Sequence, residues 1–403
     1  MALLAACLAT VVTVGNASAR ARPAAGVSTV RTFVGGGVGK ANPKLAPVTI
    51  GFVTQTTGFE AFPGTKAVFD AAIKFVNNEL GGIGGHPLKE VFCNTTGAPT
   101  DGTACAQKFR ANKSVSAVVM GWEGTAVASY TSTMAGAKPL VITEPLGGEA
   151  TAKNTYAFYG GIYAGSGFLN WAKKFHAANK VTILNTTAAL DTSIDQGLVA
   201  LAKKHGQTMT PCQYPANATD FLSTFASCNL NSLGAIWATP ASGDICVTQA
   251  KDLQQLHISK PVEGFLYTCL NPTVKAALGD YPKWTYEQTT PLLSPAIGAQ
   301  PTAVVAIMHR YRVSPSSYLN LASPETFGSA MDLVKVLKAL GPKRVSVASV
   351  TKRLKAWTGS SFLGPKVKFG IAPNTAIGTT GATYYQYFGG GKFKNLGWIY
   401  APQ

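Results

Sequence analysis

The sequence predicts an α/β protein built from two doubly wound parallel-sheet lobes, and three observations carry that expectation. Short apolar strands recur along the chain, a polar or glycine-containing loop follows each of them, and helix-length amphipathic segments separate them. Such alternation calls for parallel sheets covered on both faces. A length of 403 residues, 46% of them apolar and only 13% charged, supplies two cores rather than one enlarged core.

The N-terminal end precedes this pattern. Residues 2–14 are apolar apart from Thr10 and Thr13 and run into Ala17-Ser18-Ala19, which predicts a signal peptide over residues 1–19 and export to the cell envelope. Leu4-Ala5-Ala6-Cys7 also fits a lipobox, so two routes stay open: a lipid anchor on Cys7, or Cys7 as part of the apolar stretch of a cleaved peptide. Residues 20–47 are rich in Ala, Gly, Pro and Val without periodic order and read as a flexible leader. No later run approaches the roughly 18 apolar residues of a membrane span, so membrane association is expected only through such an anchor.

The folded part is expected to begin at Val48. Residues 48–53 form an apolar strand, and residues 66–80 place Val68, Ala72, Phe75, Val76 and Leu80 on one helix face before Gly81-Gly82 ends the helix. Further strands are expected at 88–92, 115–120, 139–143, 181–184, 234–238 and 262–267. Ligands of such sheets bind outside the carboxyl ends of the strands, which directs attention to the loops 54–64, 121–125, 144–148, 185–193, 239–243 and 268–271. None of these loops contains Arg or Lys, which disfavours sulfate, phosphate and dicarboxylates as ligands.

Apart from Cys7 there are six cysteines, an even number that in an exported chain points to disulfides. Six cysteines allow about 15 pairings. Their order along the chain favours neighbours, Cys93 with Cys105, Cys212 with Cys228 and Cys246 with Cys269. No C-x-x-C occurs and the five histidines are widely separated, so neither a metal site nor any cofactor is expected.

The formal net charge of +17 raises the question of nucleic acid. Lys173-Lys174, Lys203-Lys204, Lys335 with Lys338, and Lys352-Arg353 with Lys355 sit at helical spacing on solvated faces, and no nucleic-acid-binding motif accompanies them. Nucleic acid is therefore not an expected partner. An enzyme is disfavoured as well: G-x-S-x-G, H-E-x-x-H and P-loop motifs are absent. Gly81-Gly82-Ile83-Gly84-Gly85 follows a helix and precedes a strand, the reverse of a phosphate loop, and reads as a turn needing positive φ.

Three stretches carry a family resemblance. Ile50-Gly51-Phe52-Val53-Thr54-Gln55-Thr56-Thr57-Gly58 is similar to the first strand and ligand loop of the branched-chain amino-acid binding proteins, the type I periplasmic-binding fold that serves ABC importers. Asn77-Asn78-Glu79-Leu80-Gly81-Gly82-Ile83-Gly84-Gly85-His86-Pro87-Leu88 resembles the helix end, glycine turn and second strand of that family. Residues 350–357 with Phe362-Leu363-Gly364-Pro365 and Val367-Lys368-Phe369 are similar to its closing helix and strand.

The resemblance implies two lobes joined by a three-crossing hinge, with crossings near residues 160–161, 289–294 and 362–369. Lobe 1 would then comprise 48–160 plus 290–362, and lobe 2 would comprise 161–289 plus 363–403. It also implies a monomer that captures a small-molecule ligand and delivers it to an ABC transporter permease. A sensor of the same fold that presents its closed form to a receptor, a secreted hydrolase and a wall-binding module are the alternatives.

Carried onto this chain, the family's ligand positions fall on Thr54, Gln55 and Thr57 after the first strand, Trp122, Glu123 and Thr125 after the third, and Glu144 after the fourth. In the second lobe they fall on Asp191 and Thr192, with Tyr159 and Tyr267 as aromatic walls. Thr125 suits a hydroxyl donor at a helix start, Trp122 a stacking surface, and Glu123 an acceptor for an amine or hydroxyl. Glu144 argues against a carboxylate held in its loop. The chain departs from the family in having Trp122, Glu123 and Glu144 where small residues are usual, and in lacking the Tyr-Gly pair after Asp191. Each position also has a plain structural reading: helix cap or solvated charge for Glu123 and Asp191, core packing for Trp122, exposed turn for Glu144.

Overall fold

Strand β1, Val48–Gln55, is buried along its whole length, as a central strand of a parallel sheet covered on both faces must be. In this computed structural model, which describes residues 26–58 and 61–402, β1 pairs in parallel with β2, Leu88–Thr95, on one side and with β3, Val115–Met120, on the other. Strands β4, Leu140–Ile142, and β5, Thr155–Ala157, continue the sheet in the order β2-β1-β3-β4-β5. The predicted signal peptide and Cys7 lie outside the described residues.

A second sheet takes up the middle of the chain. Its parallel strands are β6, Lys180–Thr186; β7, Thr208–Met209; β8, Cys212–Tyr214; β9, Ala235–Ala238; β10, Val262–Phe265; and β11, Thr285–Gln288. After a two-stranded ribbon of β12, Gly359–Ser360, and β13, Lys366–Val367, the chain returns to add two antiparallel edge strands, β14, Gly381–Tyr387, and β15, Phe393–Tyr400. The order is β15-β14-β11-β10-β9-β6-β7, with β8 also on β6.

Helices Gly64–Glu79, Ala299–Arg310 and Ser323–Leu340 pack together beside the first sheet. The helix that follows β1 ends in the expected glycine turn: Gly82 has φ +60, and a Cβ there would lie 2.1 Å from the His86 carbonyl oxygen, so only glycine fits.

All three disulfides join sequence neighbours, Cys93 to Cys105, Cys212 to Cys228 and Cys246 to Cys269, at Cα separations of 5.7, 5.8 and 5.7 Å. Closing loops of 12 to 23 residues contributes about 3 kcal/mol each in the chain-entropy model.

Two expectations are corrected. The leader is structured from residue 26 onward: helix Val27–Val34 buries Val27, Val30 and Val34 against helices Ala299–Arg310 and Ser323–Leu340. These valines stand at i, i+3 and i+7, one apolar helix face hidden in a Gly- and Ala-rich context. Beyond it, the Ala41 amide donates to the Asn77 carbonyl (2.7 Å) and the Asn42 amide to that of Gly85 (2.8 Å), tying the segment to the glycine turn.

The third crossing also lies later than residues 362–369. Phe369 packs on Tyr156 and Phe158, each at 5.2 Å between ring centroids, the Gly378 amide donates to the Ala157 carbonyl at 2.9 Å, and Ile377 bridges Ala157 in parallel. Residues 362–378 therefore extend the edge of the first sheet, and the chain leaves for the second between Ile377 and Gly381. The other passages run between β5 and β6 and between β11 and helix Ala299–Arg310.

Candidate functional site

The carboxyl ends of both sheets face one cavity. From the first sheet, the loop after β1 contributes Phe62, the end of β3 contributes Trp122, and the end of β4 contributes Glu144 and Leu146, with Leu321 approaching from the turn before helix Ser323–Leu340. From the second come Ile183, Asn185 and Thr186 on β6, Leu190, Asp191 and Ile194 on helix Ala189–Lys204, Thr239 and Ala241 after β9, and Phe265 at the end of β10. The floor is supplied by Gly161, Ile162 and Gly165 from the passage after β5 and by Glu287 and Gln288 at the end of β11 with Thr289 just beyond it.

The first-sheet wall is aromatic. Trp122 meets Phe62 edge to face at 4.8 Å, with Leu321, Ala322 and Leu146 packed around the pair. Leu146 is held in place because its amide and that of Gly147 both donate to Oε1 of Glu149. The opposite wall, with Ile183, Leu190, Ile194 and Phe265, is mainly aliphatic. Its polar members are already engaged: Asn185 Nδ2 donates to Asp195 Oδ1 (3.1 Å), Thr239 Oγ1 to the Leu184 carbonyl (2.7 Å), and Thr186 Oγ1 to Asp191 Oδ2. Burial raises the Asp191 carboxyl above its usual range, against the pull of the Thr186 hydrogen bonds.

The floor carries acid. Glu144 and Glu287 are 9% and 3% exposed, and on each the Oε2 oxygen lacks a hydrogen-bond partner. Burial, then the charges of Glu325 and Glu287, push Glu144 well above the normal carboxyl range. Burial, then Glu325, lift Glu287 to about 8. Among the described residues no Lys, Arg or His lines the cavity. Among the described residues no group of three or more His, Cys, Asp and Glu side chains is arranged to hold a metal ion, and no helix is long and apolar enough to cross a membrane.

A two-sheet α/β body whose strand ends converge on one mainly apolar cleft is built to bind a small molecule. The sequence profile of a family described as periplasmic binding protein matches residues 47–391. The chain belongs to the periplasmic binding protein family. Solved structures agree on the fold of this binding protein. A leucine binding protein from Thermotoga maritima MSB8 superposes with a TM-score of 0.68 at 12% identity, covering 88% of this chain and 99% of the other. A fatty acid ABC transporter substrate-binding protein from Thermomonospora curvata gives 0.69 at 15%, covering 91% and 96%. A solute binding protein of R. palustris in complex with 4-hydroxybenzoate gives 0.70 at 14%, covering 89% and 98%. No curated protein sequence matches the chain.

Of the residues expected from sequence, the binding protein brings Trp122, Glu144 and Asp191 together at the cavity. The others lie outside its lining. Thr54 is buried, with Oγ1 2.8 Å from that of Thr65 and donating to the Trp122 carbonyl. Gln55 accepts from the Gly124 amide and donates to the Thr96 carbonyl, bracing two loops. Thr57 is exposed. Glu123 turns away from the cavity and accepts from Thr95 Oγ1 at 2.9 and 2.7 Å. Thr125 precedes helix Ala126–Met134 and donates to the Gly97 carbonyl at 2.5 Å.

Thr192 accepts from Gln213 Nε2 at 3.3 Å. Tyr159 is fully buried, bonded to Asp332 and the Leu363 amide. Tyr267 donates to the Pro291 carbonyl at 2.8 Å and borders a neighbouring depression with Asn271 and Ser316. Glu287 and Leu321 are the main residues that strand-end reasoning missed, while Phe62 lies in the expected loop 54–64 without having been singled out there. Glu287 lies inside a strand, and no local signal marks Leu321 as a cavity wall.

Proposed function

We propose that this binding protein works outside the cytoplasm, capturing a small, largely apolar molecule between its two sheet units and delivering it to the permease of an ABC importer. The observation that carries this reading is the cavity itself, walled from both sheets and floored where two of the three chain passages between them begin. A ligand touching both walls favours the closed arrangement by its differential contacts, and closure about such passages is a hinge motion. The chain acts here as a monomeric carrier and not as a catalyst: its acids surround an apolar space without a paired nucleophile and base. Solved relatives with this fold are named for leucine, fatty acid and 4-hydroxybenzoate, so the ligand class has to come from this chain's own lining.

The test is thermal unfolding of the chain from residue 26 onward against amines, amides, alcohols and aromatic acids, with X-ray scattering on every hit. A concentration-dependent rise in melting temperature together with a smaller radius of gyration is the expected result. A rise without compaction would remove the capture mechanism.

A further inference from the structure

Two of the chain's 18 acidic residues line the floor of the cavity, and two more lie buried close enough to act on them electrostatically. Glu144 follows β4, Glu263 lies in β10, Glu287 in β11 and Glu325 in helix Ser323–Leu340, and none is more than 9% exposed. Glu144 and Glu287 line the cavity directly. Oε2 of Glu144, of Glu287 and of Glu325 and both oxygens of Glu263 have no hydrogen-bond partner, and the nearby Tyr384 hydroxyl has none either. The remaining Glu325 oxygen accepts from Gln288 Nε2 at 2.6 Å, Thr289 Oγ1 at 2.8 Å and Thr290 Oγ1 at 2.9 Å. The ion pairs among the described residues, Lys66 with Asp70 and Glu90 and Arg310 with Glu79, all lie elsewhere.

A buried carboxylate without a counter-charge is strongly unfavourable and takes up a proton instead. Apart from the protons these acids themselves take up, side-chain donors are scarce here. The hydroxyls of Thr186, Thr239 and Thr289 are already donating inside the protein, and the one lining side chain with an unpartnered donor is Trp122, through its indole Nε1. One indole N–H does not hold a carboxylate group. None of the described Lys, Arg or His residues behind the overall charge of +17 lines the cavity, and exposed charges are screened over about 8 Å at physiological salt, so the lining acids carry the local charge.

We propose that the ligand is a small organic cation, a protonated alkyl- or arylalkylamine without a carboxylate, whose N–H groups satisfy Glu144 and Glu287 while its apolar body lies against Trp122 and Phe62. This rests on the capture of a small molecule in the cleft. An ammonium supplies the missing donors and counter-charge together, and the aromatic wall favours a cation at close range. Binding ionises acids that are protonated in the empty site, so it releases protons to buffer. A carboxylate ligand held by a protonated Glu would leave those protons in place and release none.

The experiment is titration calorimetry of the full chain at pH 7, in two buffers of different ionisation enthalpy, with 2-phenylethylamine, 2-phenylethanol, 3-phenylpropanoate and phenylalanine. X-ray scattering on each mixture reports closure. The amine should bind with net proton release and compact the protein, and the alcohol should bind at least about 30-fold more weakly. Glu287→Gln and Glu144→Gln should each weaken the amine by a similar factor without lowering the melting temperature of the empty protein. Tighter binding and closure with 3-phenylpropanoate or phenylalanine, or amine affinity unchanged in both variants, would overturn the cation assignment and leave cleft capture standing. Closure with none of the four would overturn both.

Discussion

Glu123 and Glu144 are both buried acids at strand ends, yet they separate in the structure, and Glu123→Gln tests the separation. The Glu123 side chain is 3% exposed, accepts from Thr95, and has the charge of Asp101 and the phenol of Tyr130 nearby without a basic partner. Burial raises its carboxyl from 4.5 to about 8, against the lowering effect of the Thr95 hydrogen bonds.

The sign follows from linkage. Below pH 4.5 both folded and unfolded states hold the proton and nothing is lost. As pH rises toward 8 the unfolded chain ionises while the folded one does not, and stability falls. At about 1.4 kcal/mol per pH unit, the roughly 2.5 units up to pH 7 amount to about 3 kcal/mol. Glutamine does not titrate, so Glu123→Gln loses part of the Thr95 hydrogen bonding, about 1 kcal/mol at every pH, and escapes the pH-dependent loss. Urea unfolding of both proteins at half-unit steps from pH 5 to pH 8, disulfides intact, should show the variant gaining about 3 kcal/mol relative to the parent across that range. Amine affinity should stay within about twofold, since Glu123 faces away from the cavity. Parallel stability curves would refute the protonated state of Glu123, and a large loss of affinity would return Glu123 to the binding site.

Other substitutions address the wall, the core and the N-terminal segment. Trp122→Ala removes half of the Phe62–Trp122 pair and should weaken ligand binding about 30-fold, read by calorimetry. Gly328→Ala places a Cβ 2.0 Å from the Tyr159 hydroxyl and should destabilise by about 3 kcal/mol in urea. Gly197→Ala, in helix Ala189–Lys204 with nothing within 4 Å, should stabilise by about 0.7 kcal/mol. Starting the chain at Val48 exposes the surface covered by Val27, Val30 and Val34 and should lower stability by about 2 kcal/mol relative to a start at residue 26, the buried area outweighing the ordering of one short helix.

What was legible in the sequence was local or periodic. The glycine turn at 81–85 follows from backbone conformation, the strand and helix alternation from hydrophobic period, and the cysteine pairs from separations of 12, 16 and 23 residues. The strand-end rule led to Trp122, Glu144 and Asp191 because the fold brings strand ends together wherever the sheet is parallel. It failed at the next level of detail. Neighbouring side chains at a strand end point to opposite sides, so Trp122 turns to the cavity and Glu123 to Thr95, a parity that one sequence does not encode. Leu321 and Glu287 depend on how the second sheet and the late helices return to the first, whereas Phe62 sits in a loop the rule named but did not resolve to a residue. The helix at 27–34 was hidden because only three valines carry its apolar face, and the third crossing was misplaced because the contacts of Phe369 with Tyr156 and Phe158 span more than 200 residues of chain.

The acids at the floor come from both sides of the hinge, and that division gives the inferred cation a mechanical role. Glu144 and Glu325 belong to the first-sheet unit, Glu263 and Glu287 to strands of the second. Bringing the units together desolvates Glu144 and Glu287, which line the cavity, and sets like charges across it. Two such charges about 4 Å apart repel by about 4 kcal/mol at an effective dielectric of 20, which either opens the cleft or forces proton uptake. An ammonium between Glu144 and Glu287 removes the repulsion at the interface that must close, so its charge acts on the closed arrangement in addition to its contacts. A neutral molecule of the same shape gains the wall contacts but leaves the floor to protons. Selection for charge and control of closure are thus assigned to the same carboxylates, one from each side of the cleft.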